Sequence, residues 1–297
     1  FTGVRDISLG DLFDPGKAGY NTLVIARIPR TVTLVLAGVG MSVSGLIMQQ
    51  VTQNHFVSPV TAGTLDAAKM GLVAAYLLLP QASLPGKLLL AFFFTFVASL
   101  LFLLLINRMR YRNAVIIPLV GLMFGGIISS ITSFFAYRYN IVQNLNAWML
   151  GDFSSVLQGS YELVYIILPV VTLTYLYANK FTVVGMGEAH ARNLGLDYRA
   201  VVALGMFLVS VTVSVIFITV GAIPFLGLIA PNIIRLRYGD NLRKTLPLIA
   251  IFGALFLLVC DIIGRVVITP FEMPIGIIVG IAGAVIFLVL LQIKKKP

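Results

Sequence analysis

The sequence predicts an all-α membrane protein built as a polytopic bundle of transmembrane helices. Of its 297 residues, 59% are hydrophobic and only 11% are charged, and the mean hydropathy is +1.00. A soluble domain with so few charged groups could not cover its surface. The alternating pattern of a membrane β-barrel is absent, and helices satisfy every backbone hydrogen bond inside one segment. We therefore interpret residues 1–297 as a single transmembrane domain.

Nine apolar segments along the chain are predicted to span the membrane, and most reach the roughly 20 residues that a hydrocarbon core requires. The predicted spans are residues 31–51, 59–79, 84–106, 114–135, 161–178, 200–220, 222–236, 246–267 and 275–293. The seventh segment is short and contains Pro224 and Pro231. We expect it to be a broken or tilted helix supported by neighbouring helices.

The basic residues of the loops predict the orientation. When the loops are assigned alternately to two sides, one side holds thirteen Lys and Arg residues and the other seven, with Lys69 inside a span. The richer side, which includes the carboxyl terminus, should be cytoplasmic. The net charge of +10 is attributed to these loops and not to nucleic-acid binding. The amino-terminal segment then falls outside, so we expect a further helix before Phe1 and ten spans in the native chain.

A polar segment, residues 187–196, lies between two long apolar runs. Gly185, Gly187 and Gly195 should break the flanking helices and leave a short polar helix suited to a groove on a partner. The alternative is an ordinary polar turn. The chain has no Gly-x-x-x-x-Gly-Lys-Ser/Thr loop, so any ATP chemistry would belong to a separate subunit.

Charged residues within the predicted spans form two pairs at helical spacing. Asp66 and Lys69 are three residues apart, and Asp261 and Arg265 are four apart, so each pair shares a helix face. We favour structural pairing for both. The alternative function is an ion-coupled secondary transporter that uses Asp66 and Lys69 as its ion site. Cys260, the only cysteine, is interpreted as a packing residue.

Five ordered blocks of sequence resemble the permease subunits of ABC importers for iron-siderophore complexes and cobalamin, the FecCD type. The blocks are residues 27–31 leading into 44–49, Asn54 with Ser58 and Pro59, residues 187–196, residues 221–231 with Arg235 and Leu236, and residues 272–276. Residues 56–64 and 148–155 look more like the branch that handles catecholate-type siderophores. The chain departs from the common pattern at His55, where relatives often have Pro, and at Asn232, where they often have His.

The resemblance implies a site on each side of the membrane. On the cytoplasmic side, a coupling segment at about residues 180–199 would sit on the ATPase. Its predicted contact residues are Gly187, Glu188, Ala189, His190, Arg192, Asn193, Leu194 and Gly195. An inner gate at a permease dimer axis would be formed by Asn54, His55, Asn113 and Ala114. On the outer side, Arg27, Arg30 and Arg265 would receive acidic residues of a binding protein, the alternative being interfacial snorkelling.

The implied function is the permease subunit of an ATP-driven importer of ferric-siderophore complexes in the bacterial cytoplasmic membrane. Its expected partners are a second permease, identical or paralogous, two ATPase subunits and an extracytoplasmic siderophore-binding protein. ATP and magnesium are expected on the ATPase, and no cofactor on this chain. His55 and His190 lack acidic neighbours at ligand spacing, so no metal site is predicted. No Ser-His dyad or pair of catalytic acids suggests an enzyme.

Overall fold

The computed structural model describes residues 22–109, 113–268 and 271–293, and every regular element within these ranges is a helix. A π-helical turn, Leu23–Arg27, runs directly into the first long helix, and a 3-10 turn, Glu162–Ile166, runs into the sixth. The α-helices are α1 (Ile28–Val51), α2 (Thr64–Leu78), α3 (Leu84–Arg108), α4 (Ile116–Arg138), α5 (Val142–Trp148), α6 (Ile167–Leu176), α7 (Ala178–Gly185), α8 (Glu188–Asn193), α9 (Tyr198–Val220), α10 (Leu226–Tyr238), α11 (Leu242–Val266) and α12 (Ile275–Ile293).

Six of these helices are long and apolar enough to cross a membrane, namely α1, α3, α4, α9, α11 and α12. The segments Glu162–Leu176 and Ala178–Gly185 form a pair bent by 64°, which gives up to seven spans if the pair counts as one. The all-helical prediction is confirmed, but nine full-length spans are not.

The two remaining predicted spans are shortened by turns at their amino-terminal ends. Residues 52–63 form a chain of turns, so α2 begins only at Thr64 and has 15 residues. Residues 221–225 likewise precede α10, which has 13 residues and contains Pro231. The half of α10 from Leu226 to Asn232 is buried by its neighbours. The prediction that this segment is short and supported by protein is therefore confirmed.

Helix α1 lies at the centre of the bundle. In its most apolar 18-residue window, 78% of the residues are buried, against 22% for α4 and 17% for α12. It packs against α9, α10 and α11, and against the shorter α6 and α7. Helices α4 and α12 lie at the periphery and leave most of their apolar surface uncovered.

Glycines on α1 allow its neighbours to approach backbone to backbone. A β-carbon on Gly38 would lie 2.4 Å from the carbonyl oxygen of Gly253 on α11. A β-carbon on Gly45 would lie 1.8 Å from the carbonyl oxygen of Gly227 on α10. Small residues at such crossings are typical of membrane helices, where association depends on close van der Waals packing.

Buried hydroxyl groups join α3 to α9. Ser99 Oγ lies 3.3 Å from Ser210 Oγ, and Ser214 Oγ donates to Thr95 Oγ1 at 3.2 Å. All four side chains are fully buried. Thr95 and Ser99 also donate to carbonyl oxygens one turn earlier in α3, so these hydroxyls are satisfied without water.

Contacts between turns define the two ends of the bundle. Asn54 contacts Ala114 at one end, where the segment 187–196 also lies against residue 53. Arg30 contacts Glu272 at the other. We refer to the end with Asn54 and Ala114 as the inner end and to the opposite end as the outer end.

We expect Gly45→Ala to destabilise the bundle, because the added methyl would overlap the Gly227 carbonyl and force α1 and α10 apart. Overpacking of this kind costs about 1–3 kcal/mol. The measurement is the thermal unfolding midpoint of the purified protein in detergent, together with its abundance in the membrane.

Gly126→Ala on α4 is the matched control, since a β-carbon there would meet nothing within 4 Å. It should leave both values unchanged. Equal behaviour of the two variants would contradict the close approach of α1 and α10.

Candidate functional site

The polar segment 187–196 forms a short helix between two glycine breaks, as predicted. Helix α7 ends at Gly185, and Gly187 precedes α8 with φ of +107°. Gly195 follows α8 with φ of +72°, and Leu196 N donates to Ala191 O at 2.9 Å to close the helix. Both glycines adopt left-handed backbone angles that other residues rarely take.

Helix α8 packs against the rest of the protein through one small buried residue, and its other side chains are exposed. Ala191 is fully buried, whereas Glu188, Ala189, His190, Arg192, Asn193, Leu194 and Gly195 are exposed. Arg192 Nη2 donates to Glu188 Oε1 at 2.5 Å, one turn apart. Leu194 is 69% exposed and Met186, just before the helix, is 62% exposed. Polar side chains flanked by exposed apolar ones are the composition of a protein-docking surface.

The start of this segment lies against the carboxyl-terminal turn of α1. A β-carbon on Gly185 would lie 1.8 Å from Gln50 Oε1, and one on Gly187 would lie 3.7 Å from Gln53 Nε2. Gln50 is buried and Gln53 is exposed. The side-chain amides of Gln50, in α1, and Gln53, just after α1, therefore lie against Gly185 and Gly187, the two glycines before α8.

Residue 53 ends α1 in the left-handed region although it is not glycine. Gln53 has φ of +49°. Asn54 N donates to Gln49 O at 3.0 Å and Gln53 N donates to Gln50 O at 3.2 Å. These two bonds form the Schellman pattern, in which the left-handed position is normally glycine.

The two turns of the predicted inner gate are in direct contact. Asn54 Nδ2 donates to Ala114 O at 3.0 Å, and Asn54 Oδ1 accepts from Phe56 N at 2.9 Å. Asn113 O accepts from the backbone nitrogens of Ile116 and Ile117, so it starts helix α4. Asn54 is buried, whereas Asn113 and Ala114 are exposed. Arg112, adjacent to this turn, lies outside the described residues.

His55 connects the same turn to α10. Its Nδ1 is hydrogen-bonded to the guanidinium of Arg235, and its carbonyl oxygen accepts from Asn232 Nδ2 at 2.8 Å. Arg235 also contacts Gln49 Oε1 at 3.3 Å and forms an ion pair with Asp240. Within the described residues, no group of three or more His, Cys, Asp or Glu is placed to hold a metal ion.

An apolar cavity of about 460 Å³ opens beside these turns. It lies between α4, α10 and α12, on the side of the bundle with the least buried helices. Ala114 of the predicted gate is one of its lining residues. Others are Phe56, Pro118, Phe225 and Phe287.

The outer end contains a network of two arginines and two carboxylates. Arg30 binds Asp261 Oδ1 through Nε at 3.0 Å and Nη2 at 2.6 Å, and binds Glu272 Oε2 through Nη1 at 2.5 Å. Arg265 Nη2 lies 2.7 Å from Asp261 Oδ2, which confirms the predicted pairing along α11. The Asp261 side chain is 6% exposed, whereas that of Glu272 is 29% exposed.

Two of the three arginines predicted to receive a binding protein thus have carboxylate partners within the chain. Arg27, at the end of the π-helical turn, is half-buried one turn before Arg30. The role of all three in docking stays a prediction. Sequence reasoning missed the binding of Arg30 by Asp261 and Glu272, because the three residues lie on separate segments.

The other charged pair, Asp66 and Lys69, contacts α4. Lys69 Nζ donates to Ser129 Oγ on α4 at 2.9 Å. Asp66 packs against Gly125, where a β-carbon would lie 2.7 Å from Oδ2. Both charged side chains of α2 therefore contact α4, which favours a structural role for Asp66 and Lys69.

A family model of the FecCD transport family matches residues 1–293. The chain belongs to the FecCD transport family. This FecCD protein is 48% identical to the petrobactin import system permease protein YclN of Bacillus subtilis, over 99% of this chain and 93% of the relative. It is 43% identical to the ferric-anguibactin transport system permease protein FatD of Vibrio anguillarum, over 98% of this chain and 93% of that protein.

A solved structure has the same fold as this FecCD protein. It is a metal-chelate type ABC transporter in an inward-facing conformation, with a TM-score of 0.80. The alignment covers 94% of this chain and 89% of the other, at 24% identity. These comparisons confirm the family resemblance and the reading of the chain as a transporter permease and not an enzyme. They give no support to an ion-coupled transporter that uses Asp66 and Lys69.

We expect Asp261→Asn to destabilise this FecCD protein strongly, because Arg30 and Arg265 would lose the carboxylate that they share in a buried position. Breaking one partner of a buried ion pair costs about 3–5 kcal/mol. Thermal unfolding in detergent measures the effect.

Glu272→Gln is the comparison variant, since Glu272 is more exposed and contacts only Arg30 within this network. Its loss should cost about 1 kcal/mol or less. A larger loss for Glu272→Gln than for Asp261→Asn would contradict the assignment of Asp261 as the centre of the network.

Proposed function

We propose that this chain is the membrane-spanning permease subunit of an ATP-driven importer for ferric-siderophore complexes. The observation that carries the proposal is the match along residues 1–293 to a transport family whose members include permeases for petrobactin and ferric-anguibactin. Because the chain covers 93% of the length of those two permeases, the likeness extends to the whole domain. Catecholate-type siderophores are the proposed branch, and the protein is placed in the bacterial cytoplasmic membrane.

The coupling segment, at about residues 180–199, is proposed to sit on the ATPase. It stands on α7, which is bent by 64° from the preceding helix and so directs α8 out of the bundle. The proposed contact residues are the exposed ones on and beside α8, from Glu188 to Gly195, with Gly187 as the hinge before them. Two ATPase subunits would bind ATP and magnesium, and this chain would bind neither.

A second permease, identical or paralogous, is proposed to complete the translocation path. Helices α4 and α12 have the least buried surfaces of the six long helices, and the apolar cavity opens between them. A hydrophilic chelate is too large for the packed centre around α1, so a path between two subunits suits this surface. We propose that α2 and α10 also cross the bilayer with protein around them, which gives nine spans and a cytoplasmic carboxyl terminus.

The inner gate is proposed to consist of Asn54, His55, Asn113 and Ala114. Support comes from the Asn54 to Ala114 hydrogen bond and from the position of Ala114 on the cavity wall. Alternating access requires these turns to separate in one state and to close in the other, and the ATPase must bind the two states with different affinities.

The extracytoplasmic siderophore-binding protein is proposed to dock at the outer end, near Arg27, Arg30 and Arg265. A carboxylate of that protein would compete there with Glu272, the most exposed acid of the network. Arginines present a planar fork that suits carboxylates, and charges at the rim of an interface mainly affect the rate of encounter.

We expect the double variant Glu188→Ala/Arg192→Ala to lose most of its iron-chelate uptake. Both side chains are exposed, so their removal should not unfold the permease. Removing two charged contacts from a docking surface should weaken ATPase association about tenfold or more. The measurement is uptake by cells carrying the complete chain, with membrane abundance and co-purified ATPase determined in parallel.

The control is Arg138→Ala/Glu162→Ala, which removes one exposed charge of each sign at the outer end of the bundle. It should leave ATPase association unchanged. Normal uptake and normal ATPase association in the Glu188→Ala/Arg192→Ala variant would show that these two side chains do not carry the coupling contact.

A further inference from the structure

Residues 49–55, which we name the α1 end turn, contact three separate parts of the inner end. Gln50 and Gln53 lie against the glycines that lead into α8. Asn54 bonds the turn that starts α4, and His55 bonds α10. The α1 end turn thus contacts the base of the surface proposed to bind the ATPase, and it contains two residues of the proposed gate, Asn54 and His55.

The contact with the coupling segment leaves little room for independent movement. Gln50 is buried, and its amide oxygen occupies the place where a side chain at residue 185 would begin. A shift of Gly185 toward α1 must therefore displace the Gln50 amide or move the turn itself. Close-packed interiors transmit such shifts because they cannot be compressed.

Gln53 is the unusual residue of this turn. Its φ of +49° is a position where glycine is sterically favoured, so the backbone does not require a side chain there. Its exposure gives the side chain little role in the core. The amide nevertheless lies over Gly187, at the base of α8.

The contact with the gate is equally direct. Asn54 uses one end of its amide to bond Phe56 N and the other to bond Ala114 O. Any rotation of the α1 end turn must therefore either break the bond to Ala114 or pull the start of α4. His55 is hydrogen-bonded to Asn232 and Arg235 of α10. These two bonds attach the end of the α1 end turn to α10, so the rest of the turn can rotate about His55.

We propose that the α1 end turn transmits the movement of the coupling segment to the inner gate, with Gln50 and Gln53 as positioning residues. This inference rests on the proposed function, because it presupposes an ATPase beneath α8. The chain of contacts runs from α8 through Gly185 and Gly187 to the two glutamines, and from Asn54 to Ala114. Removing the contact between the two glutamines and the glycines at 185 and 187 should leave ATP hydrolysis intact. Less chelate should then be transported for each ATP hydrolysed.

The test uses the complete importer in proteoliposomes, with ATPase subunits, binding protein and ferric chelate, and measures chelate delivered per ATP hydrolysed. The variants are Gln53→Gly, which keeps the left-handed backbone and removes the side chain, and Gln50→Ala/Gln53→Gly. We expect Gln53→Gly to keep normal abundance and thermal stability, while the chelate delivered per ATP falls about threefold. In the double variant this ratio should fall further. A purely structural role for residue 53 predicts no change in that ratio.

The matched control is Gln81→Ala/Gln143→Ala, two exposed glutamines on a loop and on α5 that should leave the ratio unchanged. An unchanged ratio in both test variants would overturn the transmission role, as would a loss of stability with an unchanged ratio. In either case ATP-dependent uptake by the unaltered chain would still support the importer. Uptake by the unaltered chain that needs no ATP would instead overturn both the proposed function and this inference.

Discussion

The close approach of α10 and α11 to the central helix α1 is the constraint on which the rest of the structure depends. Gly38 and Gly45 remove the side chains that would keep these backbones apart. With its neighbours this near, α1 is buried along most of its length. Each end carries a polar site: Arg30 at the outer end, and the α1 end turn at the inner end. A single packed helix thus connects the two faces at which partners are proposed to bind.

Several charged groups within the bundle contact polar or oppositely charged groups of the same chain. Lys69 donates to Ser129, and Asp261 is shared by Arg30 and Arg265. Such pairing offsets the large cost of burying charge where lipid or protein excludes water. Asp261 therefore does not require a transported ion as a partner. The peripheral helices α4 and α12 are the least buried of the six long helices, and they are the surface proposed for a second subunit.

The sequence predicts some elements well because their signal is local. Helices α3, α9, α11 and α12 follow from apolar runs of about 20 residues, and the limits of α8 follow from Gly187 and Gly195, which no other residue type replaces easily at positive φ. Helices α2 and α10 are shorter than predicted because hydropathy does not reveal where turns such as 52–63 end. The contact of Arg30 with Glu272 joins residues 242 positions apart, and one sequence without an alignment contains no signal for such a pair. The cover of Gly185 by Gln50 is hidden for the same reason.

We propose that ATP hydrolysis on a partner, acting through the inner end, moves a ferric chelate past this chain. The most direct measurement is uptake of a radiolabelled ferric siderophore into proteoliposomes containing the complete importer, with ATP supplied or withheld and with ion gradients imposed or collapsed. We expect uptake that requires ATP and persists when the gradients are collapsed. Uptake that proceeds without ATP and stops when an ionophore removes the gradient would contradict it.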